Sequence, residues 1–304
     1  MDILQKPLDG RTPDQQFRNL CRLALEIGVR SDTQQSKKRS EDEKASFSIP
    51  YQVTSVYPIE NGFPMETGRW IGKASVRENL ALLVHAVRRN EVLNRDWKVP
   101  FWNSTFEDPG KCLRRGLEPG DMGPASYAVL RQFPTPEGPF DQLAAVMQQI
   151  RELPHLKTHI MTTLYPPGIF RGKGRTQQVV TVPCNGTLIY LTVLGGKLNY
   201  STVWRSTDLG AAEPHDRSGH AAIWLALCHV LNYPPGYFSI TYFNAHYYEN
   251  QRWVLEEIVG REPRAFPTIT LKDPPDMIED FRDTHFEITD YNPYPAIPGI
   301  PVSP

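Results

Sequence analysis

Residues 187–206 restrict the fold more than any other stretch. Leu188, Tyr190 and Thr192 run up to Gly195-Gly196, and Leu198 through Trp204 run away from it. Two glycines accept the positive φ angles of a tight two-residue turn, so the stretch predicts a β-hairpin. Val182-Pro183-Cys184-Asn185 precedes it, and Trp204-Arg205-Ser206-Thr207-Asp208 ends it. Pro214-His215-Asp216 follows. If the hairpin folds back on Cys184, the Arg205 guanidinium lowers the thiol pKa and favours a thiolate nucleophile. Arg205-Ser206 also suits a phosphate, with a bidentate cation beside a hydroxyl donor.

The remaining elements follow from periodicity. Residues 13–28 set Phe17, Leu20, Leu23, Leu25 and Ile27 among polar residues and read as a helix. Residues 75–89 show an apolar face through Val76, Leu80, Leu83, Val84 and Val87, and residues 140–152 form another helix. Residues 218–232 read as a buried helix with Ile223, Leu227 and Val230 in register. Residues 46–58, 158–165, 179–182, 237–243 and 267–272 read as strands. A basic, glycine-containing insertion occupies 171–178, and the tail from Asp290 is proline-rich and extended. Residues 29–45 are almost wholly polar and cannot bury a core, which predicts a mobile loop. With no repeat and no clear linker, residues 1–304 read as a single α+β domain.

Composition narrows the function classes. The 304 residues are 40% hydrophobic, enough for one large core or two small ones. A net charge of −1 provides no global basic field for nucleic acid. No apolar run approaches a membrane span, and Met-Asp-Ile-Leu-Gln-Lys is not a signal-peptide start. Cys21, Cys112, Cys184 and Cys228 are scattered, with no Cys-x-x-Cys pair for zinc or redox chemistry. The expectation is a soluble cytoplasmic protein with no metal.

Taken singly, the candidate residues also have plain structural readings. Cys184 is then a buried, inert thiol, and Arg205-Ser206 a solvated surface pair. Asp208 and Asp216 are turn formers, with Asp216 capping a helix near residue 218. His246 and Tyr248 alternate with Tyr247 in Asn244-Ala245-His246-Tyr247-Tyr248-Glu249-Asn250 and share one face of an extended segment.

Order and spacing join them. Ser48-Ile49, Asn61-Gly62-Phe63-Pro64, Gly120-Asp121-Met122-Gly123-Pro124, Arg131 and Pro134-Thr135-Pro136-Glu137-Gly138 come first. Pro183-Cys184, Gly196-Lys197-Leu198, Arg205-Ser206-x-Asp208 and Arg261-Glu262-Pro263-Arg264-Ala265-Phe266-Pro267 follow. Asp280-Phe281, Tyr291-Asn292-Pro293 and Pro295 close the series. Through most of its length the chain resembles the thymidylate synthase family.

That resemblance implies a thymidylate synthase-like fold, with a mixed sheet at a homodimer interface and flanking helices. It implies a pyrimidine nucleoside monophosphate substrate and 5,10-methylenetetrahydrofolate as cosubstrate. Cys184 would add to C6 of the base, and Glu78 would manage protons and water. Arg205 and Ser206 would hold the 5′-phosphate, and His246 and Tyr248 the sugar 3′-hydroxyl. Asp208 would bond the pterin, and Trp102 would line the folate side. Lys157 matches a phosphate ligand donated across the dimer, and Arg39 stands for a phosphate arginine of the N-terminal loop.

The departures from the family pattern are specific. Asn185 stands where the family has His after Cys, Trp204 replaces Gln, and Asn244 replaces Asp. The Tyr of Gly-Pro-x-Tyr falls on Ser126, with Tyr127 one place off. Asp216 replaces the Asn that reads uracil. An amide satisfies both the N3–H donor and the O4 acceptor of uracil, whereas a carboxylate repels O4. Cytosine instead offers an amino donor, and an unsatisfied buried polar group costs about 1–3 kcal/mol. Asp at this position, and the lack of that His, resemble the deoxycytidylate hydroxymethylases. The implied reaction is conversion of dCMP (or CMP) to its 5-hydroxymethyl derivative. Methyl transfer to dUMP or dCMP, or a catalytically silent nucleotide-binding homologue, are the alternatives.

Overall fold

The predicted hairpin forms. In the computed structural model, which describes residues 3–32 and 45–302, β7 (Leu188–Leu194) pairs antiparallel with β8 (Lys197–Trp204), from Leu188 opposite Val203 to Leu194 opposite Lys197. Gly195 and Gly196 take φ of 57° and 74°, the left-handed values that a tight turn demands of glycine.

Around the hairpin grows a five-stranded sheet in the order β3-β10-β8-β7-β6. Here β3 is Val53–Pro58, β6 is Ile160–Met161 and β10 is Pro235–Tyr242. The β10–β8 pairing is parallel, and the other pairings are antiparallel. A second sheet runs β1-β2-β11-β9, with β1 Val29–Asp32, β2 Ala45–Ser48, β9 Thr207–Asp208 and β11 Ala245–Tyr248. Two small hairpins pair β4 (Phe133–Thr135) with β5 (Gly138–Phe140) and β12 (Thr268–Leu271) with β13 (Phe286–Thr289). Helices pack among these sheets, giving the expected mixed α+β architecture.

The Glu213–Val230 helix runs through the centre and is buried on nearly every side. Its apolar residues therefore show little amphipathic bias, as befits a helix with no solvent face. Trp224 stacks on Phe238 of β10 at 6.1 Å, and its indole N–H donates to the Leu198 carbonyl (3.0 Å). The hydroxyls of Ser218 and Ser75, 3.0 Å apart, join it to the Ala74–Asn79 helix.

Several expectations are corrected. Residues 29–32 are a strand and not part of a loop, because β2 supplies an antiparallel partner from Val29–Ser48 to Asp32–Ala45. The rest of the predicted mobile loop, residues 33–44, lies outside the described residues. The strand read over 46–58 is two strands, and 158–165 contributes only Ile160–Met161. Residues 179–182 form no strand, since the Val180 N–H donates to the Met122 carbonyl of a facing loop (2.8 Å). The helix expected over 75–89 becomes a π-turn at Leu80–Val84 and stops. The central helix starts at Glu213, so Asp216 is inside its first turn and does not cap it. The 171–178 insertion is an exposed loop braced by Arg171 to Gln177 (2.7 Å) and Arg175 to the Pro167 carbonyl (2.9 Å).

Beneath the helix start lies a buried ionic cluster. Arg217 is fully buried and meets Asp14 (2.7 Å), Glu66 (2.7 Å) and Glu213 (3.2 Å). Its guanidinium also lies over the rings of Phe17 and Tyr57. Burial pushes the Glu213 carboxyl up to about 7, against the pull of Arg217. Removing one member of a buried ionic group strands the others without compensation. Arg217→Met is expected to cost about 3–5 kcal/mol, measured by urea unfolding at neutral pH.

Candidate active site

Hairpin closure brings Cys184 to Arg205. The Arg205 Nη2 reaches Cys184 Sγ at 3.3 Å and the Val182 carbonyl at 3.2 Å, while Nε donates to the Pro183 carbonyl at 3.2 Å. The Ser206 N–H donates to the Cys184 carbonyl (3.3 Å), and the Cys184 N–H donates to the Tyr127 hydroxyl (3.3 Å). Burial raises the thiol pKa, Arg205 opposes that rise, and Asp216 and Asp208 add to it. The sulfur thus sits buried with a cation in contact, and Arg205 is the group that favours its thiolate form.

The second sheet supplies the next side chains. Parallel pairing of β11 with β9 sets His246 opposite Asp208. Ser206 Oγ and His246 Nδ1 are 3.5 Å apart, and Nδ1 also lies 3.2 Å from the Asn244 carbonyl. The His246 ring stands edge-on to Tyr248 at 5.4 Å. Asp208 Oδ1 accepts from the N–H groups of Gly210 (2.9 Å) and Ala211 (3.1 Å), and Oδ2 accepts from Gln251 Nε2 (2.8 Å). Burial raises the Asp208 pKa, and His246 leads the groups that oppose it.

The third side comes from helices. Glu78 accepts the Trp102 indole N–H at 2.8 Å. Burial, with the charge of Asp216 adding to it, pushes Glu78 up to about 8. Asp216 is raised to about 7 by burial, while hydrogen bonding from the Asn185 and Asn79 side chains opposes the rise. Cys184, Asp216, Glu78, Arg205, Ser206, Asp208, His246, Tyr248 and Trp102 are thus linked through direct contacts or mutual electrostatic influence. Lys157 is not among them: it is exposed in the segment before β6, where its carbonyl lies 3.3 Å from the Tyr190 hydroxyl. Arg39 lies outside the described residues.

Sequence reasoning missed part of this site. Tyr127, one position off the family tyrosine, still brings its hydroxyl to the Cys184 backbone. Asn79 adjoins Glu78 and gave no signal. His220, one helical turn beyond Asp216, was findable from i, i+4 spacing. Its ring sits between the Tyr200 hydroxyl (2.7 Å) and Asn185 Oδ1 (3.2 Å). Burial lowers its pKa to about 3, so the imidazole is neutral. Trp204 is fully buried against His220 and Tyr242. Its indole N–H has no hydrogen-bond partner among the described residues.

A thiol, a cation in contact with it, a histidine edge-on to a tyrosine and carboxylates of raised pKa equip the site for covalent chemistry on a polar ring. A family model described as thymidylate synthase matches residues 15–302. The chain belongs to the thymidylate synthase family. Its chemistry is therefore folate-dependent one-carbon transfer to C5 of a pyrimidine nucleotide, with methylenetetrahydrofolate as cosubstrate. The site fits a pterin, which presents N–H groups to an acceptor: among the described residues Asp208 Oδ2 accepts one hydrogen bond, from Gln251, and a carboxylate oxygen has room for a second. No described helix is long and apolar enough to cross a membrane. Among the described residues no group of three or more His, Cys, Asp and Glu is arranged to hold a metal ion.

Two outcomes follow from these charges. Arg205→Ala removes the cation opposing the thiol's upward shift. The pH midpoint for iodoacetamide alkylation of Cys184 is expected to rise, by about one unit or less. Glu78, raised to about 8, holds in the folded state a proton that the unfolded chain has lost by pH 7. The folded state then binds more protons, so stability falls as pH rises. The thermal midpoint should drop between pH 7 and 8, and Glu78→Gln should flatten that slope.

Proposed function

We propose that this chain is a cytidylate 5-hydroxymethylase, converting dCMP (or CMP) to the 5-hydroxymethyl nucleotide. The observation that carries the reading is Asp216. A carboxylate occupies the family's uracil-reading position, reaches the electrostatic surroundings of Cys184 and Glu78, and is contacted by amide donors. An acceptor-only group there favours the N4 amino group of cytosine and, when N3 is protonated, takes that hydrogen as well. Against uracil it faces O4 with like partial charge.

In this reading Arg205 and Ser206 hold the 5′-phosphate. Arg205 already makes its bonds through Nε and Nη2, which leaves Nη1 for a phosphate oxygen without releasing the sulfur. His246 and Tyr248, on one face of β11, take the 3′-hydroxyl. Cys184 loses its thiol proton to water and adds as thiolate to C6, which makes C5 nucleophilic. C5 takes the one-carbon unit and gives up its own proton to water. Tetrahydrofolate is the leaving group, and the thiolate is expelled from C6 at the end. Methylenetetrahydrofolate, when bound against Asp208 and Trp102, supplies a one-carbon unit at the oxidation level of formaldehyde. Glu78, protonated at neutral pH and fixed by Trp102, holds a proton beside the reacting carbon and orients the water that becomes the hydroxyl.

The chain acts as a homodimer in this reading. One face of the five-stranded sheet packs on the central helix. The other leaves Val56, Tyr237 and Leu188 exposed at 43%, 55% and 38%, beside Thr54 and the partly exposed Val203. An alternating face of this kind suits a second copy of the sheet. Lys157, at the β6 edge, then lies near the seam.

The test is tritium release from C5-labelled dCMP, CMP and dUMP with methylenetetrahydrofolate, with product mass. A cytosine nucleotide gaining one CH2O unit, with tetrahydrofolate and no dihydrofolate formed, is expected. Cys184→Ala should abolish release. Asp216→Asn should lower kcat/KM on the cytosine nucleotide by about tenfold to hundredfold. Release from dUMP alone, with dihydrofolate, would return the chain to methyl transfer.

A further inference from the structure

We propose that Asn79 and the chain Tyr200–His220–Asn185 are positioning residues that hold Asp216 as an acceptor and set the preference for a cytosine over a uracil ring. The inference rests on the cytidylate reading above.

The direction of each hydrogen bond in the chain follows from the carboxylate at its end. Asp216 accepts and cannot donate when ionised, so the Asn185 side chain must turn its Nδ2 to it. That leaves Asn185 Oδ1 for His220, 3.2 Å from Nε2, which must therefore carry the ring proton. Nδ1 is then an acceptor, and the Tyr200 hydroxyl at 2.7 Å donates to it. The opposite tautomer would turn Asn185 Oδ1 against the carboxylate. Each member is buried or nearly so, and Tyr200 and His220 are wholly buried, so none can trade its partner for water without cost.

On the other side, Asn79 Nδ2 donates to the Ser75 carbonyl at 3.0 Å within its own helix. This bond keeps the NH2 end, and not the carbonyl end, available to the carboxylate. The approach depends on Gly219. A Cβ there would collide with the Asn79 amide. Gly186, at φ 58°, does the same for the relay, since a Cβ there would stand 3.0 Å from His220 Cε1. Gly219 thus leaves room for the Asn79 amide and Gly186 for the His220 ring that orients the Asn185 amide, and the two amides act as hydrogen-bond donors to Asp216.

Donors on two sides suit a carboxylate and conflict with a carboxamide. An Asn at 216 accepts from one of them with Oδ1, but its NH2 then meets a second NH2. The family's uracil-reading residue therefore cannot be restored by one substitution in this surrounding. Asn79→Asp supplies the missing acceptor, with the loss of the bond to the Ser75 carbonyl.

The experiment measures dCMP, CMP and dUMP binding by calorimetry, and kcat/KM with methylenetetrahydrofolate, for the wild type and four variants. Tyr200→Phe and Asn79→Ala should each lower the cytosine-to-uracil selectivity about tenfold. Asp216→Asn alone should lose cytidylate binding without gaining dUMP. Asp216→Asn with Asn79→Asp should bind dUMP at least tenfold better than Asp216→Asn, a gain that no merely structural role produces. A wild type selective for dUMP overturns both the cytidylate reading and this inference. A cytidylate-selective wild type whose Tyr200→Phe and Asn79→Ala variants keep its ratio, or whose Asp216→Asn variant alone takes dUMP, overturns the inference only.

Discussion

Arg217 is the interaction on which the arrangement turns. A buried guanidinium is tolerable only if its charge is met, and here three carboxylates from separate parts of the chain meet it, Asp14 and Glu66 by hydrogen bonds and Glu213 as an ion pair. Asp14 caps the Gln15–Ile27 helix, Glu66 belongs to the loop after β3, and Glu213 opens the central helix. The cluster clamps the rotation of that helix's first turn. Glu213 and Arg217 share one face of it, which turns Asp216 and, further round, Gly219 to its side. The catalytic side of the helix is thereby oriented by charges the site never touches. Burial, with the neighbouring carboxylates adding to it, raises Glu66 and Glu213 against the pull of Arg217.

The same economy of charge governs the thiol. Burial alone would make Cys184 inert, as the plain reading of a buried cysteine has it. Arg205 reverses part of that penalty, but it is itself fastened to two backbone carbonyls of the Val182-Pro183 turn. The cation is therefore delivered to the sulfur by the path of the backbone and not by a flexible side chain seeking a partner. A single tether, the hairpin with its Gly195-Gly196 turn, aligns nucleophile and cation.

Much of this was legible in the residues. The hairpin, the long central helix and the grouping of Cys184, Arg205, Ser206, Asp208 and Asp216 follow from alternation, apolar periodicity and motif order. What escaped depends on tertiary partners. Val29–Asp32 looks polar and loop-like, yet it pairs as a strand because β2 lies beside it. Val179–Val182 has β-branched residues but no strand partner, since its backbone bonds go to a loop. Tyr127 is offset by one residue and still reaches Cys184, because a short 3-10 turn at Tyr127–Leu130 rotates it inward. Hydroxyl position, not sequence register, is what the site retains.

The base-reading position shows why a site is harder to read than its key residue. Asp216 is a single letter against the family pattern, visible without coordinates. A buried carboxylate nevertheless obliges its neighbours to present donors, and each donor obliges its own next neighbour in turn. Asn185 in place of the family histidine is one such consequence, and it fixes the tautomer of His220, which fixes the donor role of Tyr200. Asn79 is a second, and it requires Gly219 on the facing helix. One substitution thus spreads through six positions, three on the central helix and three elsewhere in the chain. Asn185 shows in the sequence as a departure from the family pattern and His220 by its spacing, but Tyr200, Asn79 and Gly219 carry no signal of their own, because tyrosine, asparagine and glycine each have ordinary reasons to occur. Their common cause is the polarity of one carboxylate.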